Sequence, residues 1–236
     1  LLPIMMTPAI RLFAWVNVLV FALQGIYWPE FNLMFQLSYV GADNFRPYQL
    51  FTYSLMHGDI WHLFFNVFII VMFGNALEKV WGFKRMLKFY VIVAVGAASL
   101  HTGYMMYQLY QLTSLVFPVV NDTLELANWA MGESTTLPRE ALSIYFGSMV
   151  GASGVVFGIL VAFAYLFPTA RLSFLLLPIS IRAKWLVIAY VAVEAYLAFV
   201  VNPADNIAHF AHLGGGLFGF LVARWWVHTD LERKLK

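Results

Sequence analysis

This chain of 236 residues is 62% hydrophobic and only 11% charged, with a mean hydropathy of +0.77. Soluble globular domains average about 45–50% apolar and 25% charged, so the composition is that of an integral membrane protein. A formal net charge of +2 is too small to suggest nucleic acid as a partner, and the absence of cysteine excludes disulfides and thiol chemistry. The first residues carry neither a charged leader nor a small-residue cleavage site, so no signal peptide is expected.

Six apolar stretches are long enough to cross a bilayer, which takes about 20 residues. They run over Ala9–Tyr27, Ile60–Leu77, Met86–Tyr107, Val150–Phe167, Ile181–Val201 and Ile207–Val227. The predicted fold is an all-α bundle of six transmembrane helices in a single domain over 1–236. Residues 28–59 are too apolar for a free loop and too broken by Pro29, Gly41 and Pro47 for a span; they read as a segment resting in the membrane interface. Residues 108–149 form a long outer loop, expected to hold a short helix of its own.

Lysine and arginine set the orientation. Lys79, Lys84, Arg85 and Lys88 follow the second span, and Arg171, Arg182 and Lys184 follow the fourth. Arg224, Arg233, Lys234 and Lys236 lie at the C-terminal end, and Arg11 near the N-terminal end. This places 12 of the 14 basic residues on one side, leaving Arg46 and Arg139 on the other. Both termini are therefore expected in the cytoplasm. Spans two, four and six then begin at the outer face, where the positive ends of their dipoles lie.

Those three spans carry polar residues in their first turns: His62 and Asn66, Ser153, and His209 with His212. Polar groups inside a membrane are costly and mark bundle interiors or water-filled cavities. Gly151-Ala152-Ser153-Gly154 puts a serine between glycines at a helix start, where free backbone N–H groups can stabilise developing negative charge. Taken alone, the same tetrapeptide also reads as a small-residue patch for close helix packing. His62 and Asn66, spaced i, i+4, share a helix face and both can donate hydrogen bonds, as an oxyanion site requires. Gly154 and Gly158 on span four, and Gly215 and Gly219 on span six, make small-xxx-small pairs. Such pairs would let the two spans approach and bring His212 to Ser153, giving an activated nucleophile.

With these motifs in order, the chain resembles a rhomboid intramembrane serine protease of the six-span bacterial type. The resemblance rests on Phe45-Arg46 in the interfacial segment, His62-Leu63-Phe64-Phe65-Asn66, the glycine–glutamate pattern Gly74, Glu78 and Gly82, the Gly151–Gly154 tetrapeptide, and His212 with Gly215 and Gly219. It implies Ser153 as nucleophile and His212 as general base. His62, Asn66 and the backbone around Gly151 and Ser153 would stabilise the oxyanion. Arg46 would fix the interfacial loop, and Gly74, Glu78, Gly82, Gly154, Gly215 and Gly219 would be structural. It implies no metal or other cofactor. The expected substrates are single-span membrane proteins met in the lipid bilayer, and the expected location is the bacterial inner membrane with the site opening outward. Phe45 stands where the family usually has tryptophan. Phe157 stands where a tyrosine often packs on the histidine; its ring can still stack.

Three rivals stand beside this reading. His57, His62, His209 and His212 could supply metal ligands, although no acidic residue adjoins them in sequence. A polar intramembrane cavity could serve a transporter. A catalytically dead relative could bind membrane clients. Among the remaining histidines, His209 reads as a solvated or hydrogen-bonded rim residue, His57 as a turn residue, and His101 and His228 as structural. Glu194 is the one acid well inside a span. It reads either as a protonated, hydrogen-bonded structural residue or as a contact to the surroundings of His212. Asp205, about 10 Å before His212 along a helix, is too far for a direct bond.

Overall fold

In a membrane every backbone polar group must be satisfied internally, and long apolar stretches meet this demand as helices. A computed structural model describes residues 6–28, 30–118, 120, 128, 131–132, 134–173, 180–200 and 209–235. The elements are α1 (Pro8–Ile26), α2 (Glu30–Phe35), β1 (Leu37–Ser38), α3 (Gln49–Thr52), α4 (Ile60–Trp81), α5 (Phe83–Thr113), α6 (Arg139–Tyr145), β2 (Ser148–Met149), α7 (Ser153–Leu166), β3 (Arg171–Ser173), β4 (Ser180–Arg182), α8 (Ala183–Phe199) and α9 (His209–Leu235). The molecule is a mostly helical membrane protein.

A helix stands at each of the six expected places. Among the described residues, α1, α4 and α5 are long and apolar enough to cross a membrane. The last two expected stretches touch Val201 and Ile207, which lie outside the described residues, as does Asp205. Helix α5 runs past the expected Tyr107 to Thr113, and the segment 108–149 does hold a short helix, α6. Two features depart from the all-α expectation. Strands β1 and β2 pair antiparallel, Leu37 opposite Met149 and Ser38 opposite Ser148, and β3 and β4 form a second small ladder. The segment between α1 and α4 is therefore stitched directly to the residues that precede Ser153.

Helix α7 begins three residues later than expected and has only 14 residues. At 1.5 Å per residue it is about 21 Å long, short of a hydrocarbon core of about 30 Å. Its run 154–160 is buried throughout, as are Ala162 and Ala164. It forms the centre of the bundle, with α4, α5, α8 and α9 packed around it.

The glycine–glutamate pattern holds α1 against α4. Glu78, buried on α4, accepts hydrogen bonds from the backbone N–H groups of Ala9 and Ile10 at 2.9 and 3.0 Å and from the Thr7 hydroxyl. A carboxylate at the N-terminus of α1 satisfies two of its unpaired donors and complements its dipole. One turn earlier, a Cβ on Gly74 would stand 2.5 Å from Ile10 Cδ1. Gly82 ends α4 with φ +76°, its N–H returning to the Glu78 carbonyl at 2.7 Å. Across the bundle, Arg85 clasps Asp230 through two bonds of 2.6 and 2.7 Å, joining α5 to α9.

Candidate active site

Ser153 is the first residue of α7, directly after the turn at Gly151 and Ala152. Gly151 has φ +133°, a conformation that strains any residue with a side chain. Its N–H donates to the Tyr53 carbonyl at 2.9 Å, and Tyr53 in turn donates its hydroxyl to the Ala94 carbonyl at 2.9 Å. A Cβ built on Gly151 would meet His62 Cε1 at 2.7 Å and Nε2 at 2.8 Å, with Ser153 Oγ at 3.7 Å. The His62 ring thus lies against the bare backbone beside the serine.

His62 is fixed at the start of α4. Asp59 caps the helix by accepting from the N–H groups of Trp61 and His62 at 2.8 and 2.9 Å, the usual work of an aspartate cap. The Gly58 N–H points to His62 Nδ1 over a long 3.4 Å. That contact makes Nδ1 the acceptor and leaves Nε2–H directed toward Gly151. Asn66 is buried and donates one amide hydrogen to the His62 carbonyl at 2.8 Å; the amide carries two. Arg46 lies between β1 and α3 and donates to the carbonyls of Asp43 and Phe45 at 2.9 and 2.7 Å.

His212, in the first turn of α9, places Nε2 at 2.8 Å from Ser153 Oγ. Its ring stacks on Phe157 with centroids 4.6 Å apart and planes 6° from parallel, so phenylalanine provides the flat support expected at that position. The approach of α9 to α7 runs through glycine. Gly215 lies against the Gly154 backbone and Gly219 against the Gly158 backbone.

Two acid–base residues differ from the plainest sequence reading. Glu194, 5% exposed on α8, contacts His212: its Oε2 lies 3.0 Å from His212 Nδ1 and 2.6 Å from His209 Nδ1. His209 is buried at 7% exposure, so of its two expected forms it takes the hydrogen-bonded one. Their ligand-type atoms all lie within 4.8 Å of one another, a spacing a divalent cation could bridge. Each Nδ1 already meets the carboxylate, however, and His212 Nε2 meets Ser153.

Sequence reasoning also passed over a supporting network. His57 lies in the short connection before α4, and it is buried there. Its backbone N–H donates to Gln24 Oε1 at 3.0 Å, and Gln24 returns a bond to the His57 carbonyl at 3.2 Å. The His57 ring stands edge-on to His62, centroids 5.1 Å apart. Burial, reinforced by the nearby His62, lowers the His57 pKa to about 3, so it stays neutral and does not repel a charge on its neighbour. Gln49, fully buried, ties the carbonyls of Met34 and Asn44 together at 3.2 and 3.1 Å. Both glutamines sit in otherwise apolar surroundings, the one signal that marked them. His228 has a surface partner, Glu232, at 3.3 Å.

The class defined by this fold and site is a helical membrane protein in which a part-buried serine meets a buried histidine–glutamate cluster. The rhomboid domain model matches residues 44–228, and the chain belongs to the rhomboid family. It is 27% identical over 188 residues to "Rhomboid protein 1, mitochondrial" of Saccharomyces cerevisiae, covering 77% of this chain and 42% of that protein. It is 26% identical over 204 residues to "RHOMBOID-like protein 12, mitochondrial" of Arabidopsis thaliana, covering 84% and 54%. The chain thus spans about half the length of the curated relatives it matches. A shorter match, 34% identical over 59 residues, is to "Rhomboid-like protein 15" of Arabidopsis thaliana, covering 25% of this chain and 15% of that protein.

Proposed function

We propose that this protein is an intramembrane serine endopeptidase that hydrolyses peptide bonds in or near the transmembrane segments of single-span membrane proteins. The observation that carries the reading is the 2.8 Å approach of His212 Nε2 to Ser153 Oγ at the start of a buried helix. As Ser153 Oγ bonds to the substrate carbonyl carbon, its proton passes to His212 Nε2. His62 Nε2–H, Asn66 and the N–H of Ser153 receive the oxyanion. The tetrahedral adduct then expels the amine, which takes the proton from His212, and an acyl-enzyme remains. Water, deprotonated by the same nitrogen, attacks the ester carbonyl and releases the acid and Ser153. This chemistry needs no cofactor from the protein.

In this reading both termini lie on the cytoplasmic side and the site opens to the other. The two long matches bear the names of mitochondrial proteins, so a bacterial inner membrane draws no support from them; the supported location is a membrane.

A serine-directed fluorophosphonate probe tests the proposal. Detergent-purified protein should be labelled at Ser153, and a chelator should change neither labelling nor cleavage. Absence of labelling would favour a non-catalytic client-binding role. The oxyanion assignment predicts a second result. Replacing His62 by alanine should slow cleavage roughly 100- to 1000-fold, the usual cost of one such donor. Asn66→Ala should cost less, since its amide already spends one donor on its own helix. Unchanged rates in both variants, measured on a transmembrane substrate, would remove them from the mechanism.

A further inference from the structure

We propose that Glu194 is a positioning residue that holds His212 in the tautomer the reaction requires, with His209 as the second donor that holds Glu194. The inference rests on the serine-protease reading and goes beyond the two-residue machinery that the sequence resemblance implies.

The geometry is a continuous line of four side chains from three helices. His209 Nδ1 lies 2.6 Å from Glu194 Oε2, the same oxygen lies 3.0 Å from His212 Nδ1, and His212 Nε2 lies 2.8 Å from Ser153 Oγ. An ionised carboxylate only accepts hydrogen bonds, and a neutral imidazole has one donor and one acceptor nitrogen. When Glu194 takes the proton side of Nδ1, the lone pair of His212 must sit on Nε2, facing the serine hydroxyl. The reverse tautomer would point an N–H at Oγ and could not accept its proton. When His212 becomes the imidazolium, the Nδ1–H bond to Glu194 becomes charge-assisted. This is the part the carboxylate plays in serine proteases of the triad type.

Two further observations separate this arrangement from incidental packing. Glu194, His209 and His212 are each less than 10% exposed, and a buried carboxylate is costly unless its lone pairs are met. The oxygen that faces His212 is also the one that meets His209, so the two histidines fix the carboxylate between them. On its other side the His212 ring is pinned flat by Phe157. The imidazole therefore has its plane set by Phe157, its tautomer by Glu194 and its target in Ser153.

The test compares wild type, Glu194→Gln, Glu194→Asp and His209→Ala with a transmembrane substrate and with the fluorophosphonate probe. Glutamine keeps the size and an acceptor but loses the charge. Its kcat should fall on the order of 1000-fold, somewhat less than the roughly 10,000-fold cost of the same exchange in triad proteases. KM should stay within about twofold, because Glu194 does not touch substrate, and probe labelling should slow in parallel with kcat. Glu194→Asp should recover part of the rate and His209→Ala should lose about tenfold, the cost of one supporting hydrogen bond at about 1.4 kcal/mol per tenfold. A glutamine variant with near-normal kcat would overturn the proposal and leave the serine–histidine reading intact. Failure of wild type to label or cleave would sink that reading instead. Should the glutamine variant not fold, as judged by its melting transition, the tautomer decides. In 15N-histidine spectra of wild-type protein, with His212→Ala for assignment, His212 should carry its proton on Nδ1; a proton on Nε2 instead would overturn the proposal.

Discussion

Ser153→Ala and His212→Ala should each abolish cleavage of a transmembrane substrate, Ser153→Ala leaving the melting transition of the purified protein unchanged and His212→Ala lowering it. The size of the loss follows from the way the two groups act. The hydroxyl is a poor nucleophile until a base takes its proton, and the imidazole has no covalent role without the hydroxyl. Removing either member of such a unit costs about as much as removing both, on the order of 10⁶-fold in kcat. The double variant should therefore be no worse than the single ones. Ser153→Ala should be neutral for stability because it removes only a part-buried hydroxyl, whereas His212→Ala takes one hydrogen-bond partner from the buried Glu194 carboxylate, which is costly. Ser153 sits at the first turn of α7, and the ring of His212 is supported from one side by Phe157. Cleavage that survives either substitution, above the level of a mock preparation, would rule out this pair.

The two assignments differ in how far the sequence alone could reach them. Ser153 and His212 were legible because polar residues and glycines are the only marks on a membrane helix that distinguish one face from another. A span that is apolar all round has no stripe from which to read its rotation. Helix α7 carries Gly154 and Gly158, and α9 carries Gly215 and Gly219, so their mutual face could be read four residues at a time. Helix α8 has no such glycine pair. Glu194 was visible as a buried acid, but nothing local fixed whether it turned toward α9 or toward another neighbour. The surroundings of His209 were equally hidden, because a place in the first turn of a span fits a solvated rim residue and a buried, hydrogen-bonded one alike. The β1–β2 ladder has two residues in each strand, too few for any alternation to register. Its effect is large for its size: it anchors the interfacial segment to the turn that presents Ser153. The short length of α7 was masked in a different way. Val150 is as apolar as the helix that follows, and hydropathy cannot tell the entering turn from the first helical residue. The positive φ of Gly151 is what places the boundary.

Gly215→Ala should lower cleavage by 100-fold or more and destabilise the protein, whereas Gly216→Ala, at the neighbouring position, should do little. The contrast rests on what an added methyl group would meet. At Gly215 the new Cβ would stand 1.8 Å from the Gly154 carbonyl oxygen and 2.6 Å from its carbon. These are backbone atoms of the helix that carries Ser153, so no rotamer can relieve the clash and α9 must move away from α7. At Gly216 the nearest atom is Val161 Cγ2 at 3.4 Å, an ordinary contact with the end of a side chain. Forcing an extra methyl into a packed interior costs about 1–3 kcal/mol, which should appear as a lower melting temperature for Gly215→Ala. The loss of activity should exceed what that destabilisation explains. His212 lies one turn before Gly215 on the same helix, and Ser153 immediately precedes Gly154, so separation at the glycine contact opens the 2.8 Å bond between Nε2 and Oγ. A displacement of about 1 Å from productive geometry can cost about 100-fold in rate. Fluorophosphonate labelling of the folded fraction isolates the geometric part of the effect, because unfolded protein does not react. Equal labelling rates for Gly215→Ala and wild type would mean that the glycine contact between α7 and α9 does not set the distance from His212 to Ser153.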